Sequence, residues 1–267
     1  MGRKVNALNR LGEEKFNNQG CLMKIIEYNK ADDIVIEFQD DYKCHINTRY
    51  SNFISGGIIN PYYPNVHGVG IVGNKYPAKI HGVHTKEYKT WRGIVSRSYG
   101  YAEKKKRPKY QDVTCCDEWL LYENFYEWLH AQENFDNWLN GELWAIDKDI
   151  LVKGNKIYSP DTCCLVPLEV NSLFIKSDAS RGKYPIGVYF NKRLNKFCAQ
   201  ISKRTKQNGK MKQDFLGYYN SQESAFYAYK KAKEDHIKQV AQEEFDAGNI
   251  TKKCYDAMIN YKVEITD

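Results

Sequence analysis

Residues 186–219, IGVYFNKRLNKFCAQISKRTKQNGKMKQDFLGYY, decide how this chain is read. Three β-rich runs, 186–191, 196–203 and 213–219, are separated by the turn signals Leu194-Asn195 and 207–210. In the middle run Phe197, Ala199 and Ile201 alternate with Cys198, Gln200 and Ser202, so one face is apolar and the other polar. A helix is expected next: Asn220 is a capping residue, and Glu223 three positions on completes a capping box. Ala225, Ala228 and Ala232 form a small-residue stripe that lets this helix lie close on a sheet. The pattern predicts a three-stranded antiparallel sheet backed by one helix over residues 183–235. A helical extension over 236–267 breaks at Gly248-Asn249 and resumes after Thr251.

Charge gathers in the same place. Residues 176–212 hold eleven Lys and Arg against a single acid, Asp178, a net +10 that exceeds the +7 of the whole chain. One sheet face must pack on the helix, so basic and polar side chains are expected on the other. Cations there meet phosphates, while Gln, Asn, Ser and Tyr reach base edges, as in a sheet laid against double-stranded DNA.

The flanking sequence reads as two further domains. Up to about His81 the chain is β-rich: 21–28 and 34–38 form a hairpin around 29–33, and Gly56-Gly57, Asn60-Pro61 and Tyr63-Pro64 punctuate the rest. The segment 1–81 is therefore expected to be a small β domain serving as a scaffold. All five tryptophans (Trp91, Trp119, Trp128, Trp138 and Trp144) fall within 85–175, which suggests a middle domain with its own core. Apolar positions at three-and-four spacing from Asp117 predict an amphipathic helix, and 141–149 reads as a strand leading to a helix near Val166. A basic loop over 103–109 and a polar linker over 177–182 complete the plan. The expected class is α+β.

Composition narrows the function. The 267 residues have 42% hydrophobic and 27% charged side chains and a mean hydropathy of −0.68. Every long apolar run is broken early by a charge, and residues 1–10 lack an apolar leader. No membrane association is expected, and the expected location is the cytoplasm. The eight cysteines include the neighbours Cys115-Cys116 and Cys163-Cys164 but no C-x-x-C pair, so buried reduced thiols are expected rather than zinc ligands.

Several of these residues carry a resemblance. Residues 187–190, 196–201, 216–219 and 223–229 resemble the AP2/ERF DNA-binding domain, through its leucine-glycine-aromatic turn and its Ala-x-x-Ala-Tyr helix. The resemblance implies that Tyr189, Asn191, Arg193, Lys196, Gln200, Ser202 and Arg204 face a DNA groove and that this binding needs no cofactor. Residues 116–119, 125–128, 147–150, 158–160 and 163–171 look like bacteriophage proteins that join such a module to an HNH homing-endonuclease-like ββα region. That resemblance implies a phage or prophage origin, and hence the cytoplasm of a host cell. In an HNH site a histidine activates water and a divalent ion neutralises the scissile phosphate. The resemblance places Asp147 and Asn171 at the metal positions, with Mg2+ as the cofactor of an active nuclease, and Lys148 where the histidine would stand. A protonated lysine is a poor base. None of the six histidines lies in the motif, and for His81 and His84 a surface or loop role is expected over an approach to it in space. The leading expectation is a DNA-binding protein with a degenerate HNH-like region. The alternatives are an active metal-dependent endonuclease and a phage protein that inhibits a host protein; no small-molecule substrate is implied.

Overall fold

The computed structural model describes residues 10–175, 182–204 and 211–267, without the side chains of Arg204 and Met211. The turn at 207–210, nearly all of the 177–182 linker, and Lys176, Arg181, Lys206 and Lys210 lie outside the described residues. The chain forms two compact units, 1–128 and 129–267.

The first unit begins with an antiparallel meander in the order β1 (Glu14–Phe16), β2 (Leu22–Lys30), β3 (Asp33–Phe38) and β4 (His45–Thr48). Period-two apolar residues dictate it: Met23 and Ile25 of β2 and Ile34, Ile36 and Phe38 of β3 are fully buried. The hairpin is tighter than the sequence suggests, with β2 running to Lys30 and pairing it with Asp33. α1 (Tyr50–Ser55) closes the apolar face with Phe53 and ends at Gly56, whose φ of 69° is the left-handed helix stop. After a long coil, the two-residue strands β5 (Lys79–Ile80) and β6 (Val83–His84) pair. α2 (Lys86–Tyr99), α3 (Tyr101–Lys106), β7 (Thr114–Cys115) and α4 (Tyr122–His130) follow.

Trp91, Trp119, Tyr122 and Phe125 are fully buried in this unit, with Tyr88 nearly so. Trp119 meets Phe125 edge-on, and its backbone carbonyl accepts the Trp91 indole N–H at 2.7 Å. The tryptophans therefore do not mark one middle domain. Trp91, Trp119 and Trp128 belong to the first unit and Trp138 and Trp144 to the second, the division falling inside α4. The amphipathic stretch from Asp117 is also broken: a 3-10 turn over Asp117–Leu120 ends at Leu121, in extended conformation, before α4 starts.

The second unit holds α5 (Phe135–Asn140), β8 (Trp144–Asp147), β9 (Ile157–Tyr158), β10 (Cys164–Pro167) and α6 (Leu168–Leu173). β10 pairs antiparallel with β8, so residues near Val166, expected to be helical, are strand, and the helix begins only after Pro167. The three-stranded sheet follows in sequential antiparallel order: β11 (Val188–Asn191), β12 (Lys196–Arg204) and β13 (Met211–Tyr219). α7 (Gln222–Asp246) is capped by Ser221, whose side chain accepts the Ser224 N–H at 3.1 Å, one position later than the expected cap. Asn220 instead accepts from the Lys196 ammonium. α8 (Lys252–Ile259), capped by Thr251, packs its Cys254 and Met258 with Ile237, Val240 and Ala241 of α7. Among the described residues no helix is long and apolar enough to cross a membrane.

Candidate nucleic-acid interface

The two faces of the three-stranded sheet have different fates. On one, Ala199 and Ile201 are fully buried with Ala225, Phe226 and Tyr229 of α7, and Val188, Phe197 and Tyr219 complete the layer. The alanine stripe lets the helix approach, with Ala228 and Ala232 partly buried against the same cluster. Gly187 permits the closest contact: its φ is 75°, and a Cβ there would overlap the Tyr229 ring.

The opposite face is open. Antiparallel register lines up Tyr189, Cys198 and Tyr218 across the three strands, then Gln200 with Phe215 and Ser202 with Gln213. A bulge between Ala199 and Gln200 makes Leu216 an extra residue on β13, beside Gly217 at a φ of 136°. The bulge is what brings Phe215 and Tyr218, three residues apart, to the same face, while Leu216 and Tyr219 go to the core. Their rings lie 4.8 Å apart and are 53% and 51% exposed. Tyr189 is 39% exposed, and Cys198, between the two tyrosines, is fully buried. Hydrogen bonding with the Cys198 thiol, followed by desolvation, holds the Tyr189 hydroxyl above the usual tyrosine range.

The cations sit differently from the expectation. Lys203 has the parity of Ala199 and Ile201, the helix-facing side, and shares the Asp214 carboxylate with Lys212 at 3.7 and 3.2 Å. Those two lysines, Lys212 first, hold Asp214 below the usual carboxylate range. Period-two alternation thus removes Lys203 from the open face. Lys196 remains there, held at one corner by Asn220, and Lys192 and Arg193 are exposed in the β11–β12 turn. Asn191 spends its side-chain oxygen on that turn, accepting the Leu194 N–H at 3.1 Å. Arg204 pairs with Met211 through its backbone, and its side chain lies outside the described residues. Of the seven proposed contact residues, Tyr189, Asn191, Lys196, Gln200 and Ser202 share the face by register, with the Asn191 oxygen spent on the turn, and Arg193 stands at its rim. Sequence reasoning missed Phe215, Tyr218 and Gln213. The signal was Gly217, a glycine within a strand pattern, where a bulge shifts the alternation.

The proposed nuclease residues are organised otherwise. β8, β10 and α6 make a ββα unit, with Asp147 at the end of β8 and directly opposite Cys164. Asp147 is buried, and its Oδ1 accepts the backbone N–H of Asp149 and of Ile150, both at 2.7 Å. Desolvation, followed by the nearby Asp149 charge, raises its carboxyl to about 7. Lys148 is pinned by bonds to Asp149 Oδ2 at 3.1 Å and to the Asn155 carbonyl at 2.9 Å. This donor set does not fit a hard divalent cation. Such an ion needs several converging oxygens, whereas Asp147 Oδ1 already holds two backbone donors and the Lys148 side chain, on the next residue, is bonded to Asp149. Asn171 lies on α6, half-buried.

The thiols and histidines form no such set either. Burial raises Cys163 to about 12, and hydrogen bonding to the Cys254 thiol keeps Cys164 well above the usual range. All eight cysteines are free of disulfides. His81 is exposed, and His84 stacks on Tyr88 with Nδ1 3.3 Å from the Ala78 carbonyl oxygen. Among the described residues no three His, Cys, Asp or Glu side chains are grouped to hold a metal ion. Comparison with family models, curated proteins and solved structures finds nothing that matches this chain.

Proposed function

We propose that this chain binds double-stranded DNA with the open face of the β11–β12–β13 sheet. The observation that carries the reading is the asymmetry of that sheet. One face is sealed by α7, while the other presents Tyr189, Gln200, Ser202, Gln213, Phe215 and Tyr218, with Lys196 at its corner and Lys192 and Arg193 at its rim. Amide and hydroxyl groups offer hydrogen bonds to base edges, rings pack on thymine methyls or sugars, and rim cations meet phosphates.

The test is binding of random-sequence duplex across a salt series. Arg193→Ala with Lys196→Ala removes two cations, so the slope of log affinity against log salt is expected to fall by about 1.8. An unchanged slope refutes the assignment of these cations.

The exposed ring pair Phe215–Tyr218 specifically favours a second reading, single-stranded nucleic acid stacked on the sheet. Competition between duplex and single strand separates the two. Preference for single strand, lost with Phe215→Ala and Tyr218→Ala, replaces the first reading with the second.

A further inference from the structure

The first unit carries a basic segment that is distinct in sequence from the sheet. Residues 101–110 carry five Lys and Arg and one acid, Glu103. Two of the five cations are committed to the loop itself. Lys104 donates to the carbonyls of Gln111 and Val113 at 3.0 and 3.2 Å, and Arg107 pairs with Glu103 at 3.1 Å. Pro108 then opens a 3-10 turn over Pro108–Tyr110 that fixes the exit from α3. Lys105, Lys106 and Lys109 are left exposed on this braced frame, and among the described residues no carboxylate pairs with any of them. The Lys105 and Lys109 ammonium groups lie 6.0 and 5.3 Å from the ring centroids of Tyr101 and Tyr110, and Tyr101 is 79% exposed. The partial negative charge at the end of α3 favours lysines in its last turn, but Lys109 lies beyond the helix and owes nothing to it.

We infer that Lys105, Lys106 and Lys109 form a second polyanion contact, which takes successive phosphates of a nucleic-acid backbone without reading its sequence. Three unneutralised ammonium groups stand on backbone braced by Lys104 and Arg107, so meeting phosphates orders their side chains and not the chain that carries them. A lipid surface is the poorer fit. Residues 101–110 contain no Leu, Ile, Val, Phe, Met or Trp to enter an acyl layer.

The experiment uses the full chain and a triple variant, Lys105→Gln, Lys106→Gln and Lys109→Gln, which leaves Lys104 and Arg107 in place. Anisotropy titrations of random-sequence duplex over a KCl series run beside Arg193→Ala/Lys196→Ala and beside sedimentation with phosphatidylserine vesicles. The expected result is a salt slope lower by about 2.7 in the triple variant, with no vesicle binding by either protein. A wild-type slope in the triple variant overturns the inference, as does vesicle binding that the glutamines abolish. Loss of slope in the sheet variant alone refutes this contact and leaves the sheet reading standing. Loss in the glutamine variant alone does the reverse.

Discussion

Asp147→Asn should stabilise the second unit, and by an amount that depends on pH. In the folded chain the buried carboxyl holds its proton up to about 7, against an ordinary value of 3.8. Below pH 3.8 folded and unfolded chains are both protonated there, and the residue adds no pH dependence. Between 3.8 and 7 the folded state retains a proton that the unfolded state has released, so stability falls as pH rises, by about 1.4 kcal/mol per pH unit. Above 7 the loss is complete, about 4 kcal/mol at most. Asparagine keeps an oxygen for the N–H groups of Asp149 and Ile150 and carries no charge to desolvate. The variant should therefore match the wild type near pH 4 and exceed it by about 2–4 kcal/mol at pH 8. Urea unfolding, followed by hydrogen exchange of peptides covering β8 and β10, reports this unit separately from residues 1–128. A difference that does not vary with pH refutes the reasoning. So does a variant weaker than wild type at pH 8, which would mean that the two backbone donors stabilise the ionised carboxylate by more than burial penalises it.

Gly187→Ala should cost the second unit about 2–4 kcal/mol, because the added methyl meets both a positive φ and the Tyr229 ring; a melting temperature within error of wild type contradicts the close packing. Glu123 in the first unit is buried and accepts the N–H groups of Asn74 and Lys75 at 2.8 and 2.7 Å, with the Tyr62 hydroxyl at 3.3 Å. Glu123→Ala should therefore lower stability by about 2–4 kcal/mol in urea, and Glu123→Gln, which retains one acceptor, by less. Supercoiled plasmid incubated with the protein and Mg2+ or Mn2+ should stay intact, and metal-dependent cutting abolished by Asp147→Ala would overturn the reading of that site.

Sequence periodicity made the regular elements legible and left their junctions obscure. The β2–β3 hairpin and the three-stranded sheet each bury one face, and α7 buries one stretch on that sheet and a later one on α8, so their period-two or three-and-four patterns survive in the residue order. Residues 164–166 are apolar without alternation and all buried in β10, and periodicity alone does not distinguish such a run from a helix. The cap moved from Asn220 to Ser221 because β13 runs to Tyr219 and Lys196 takes the asparagine oxygen. Tryptophans cluster in sequence but serve two cores, since proximity along the chain says nothing about which core a side chain enters. At the open face Tyr189, Lys196, Gln200 and Ser202 follow from parity alone, whereas Phe215 and Tyr218 arrive through a bulge that parity does not foresee.

The central claim is that the uncovered side of the sheet is the surface that holds DNA. Its most direct test is the dissociation constant for random-sequence duplex of a Gln200→Glu/Ser202→Glu variant beside the wild type. Both positions lie on the open face, away from the α7 core, so the fold should persist while two carboxylates confront the phosphates. The account predicts that affinity falls by roughly two orders of magnitude. Binding equal to wild type, in a variant with an unaltered circular dichroism spectrum, would contradict it.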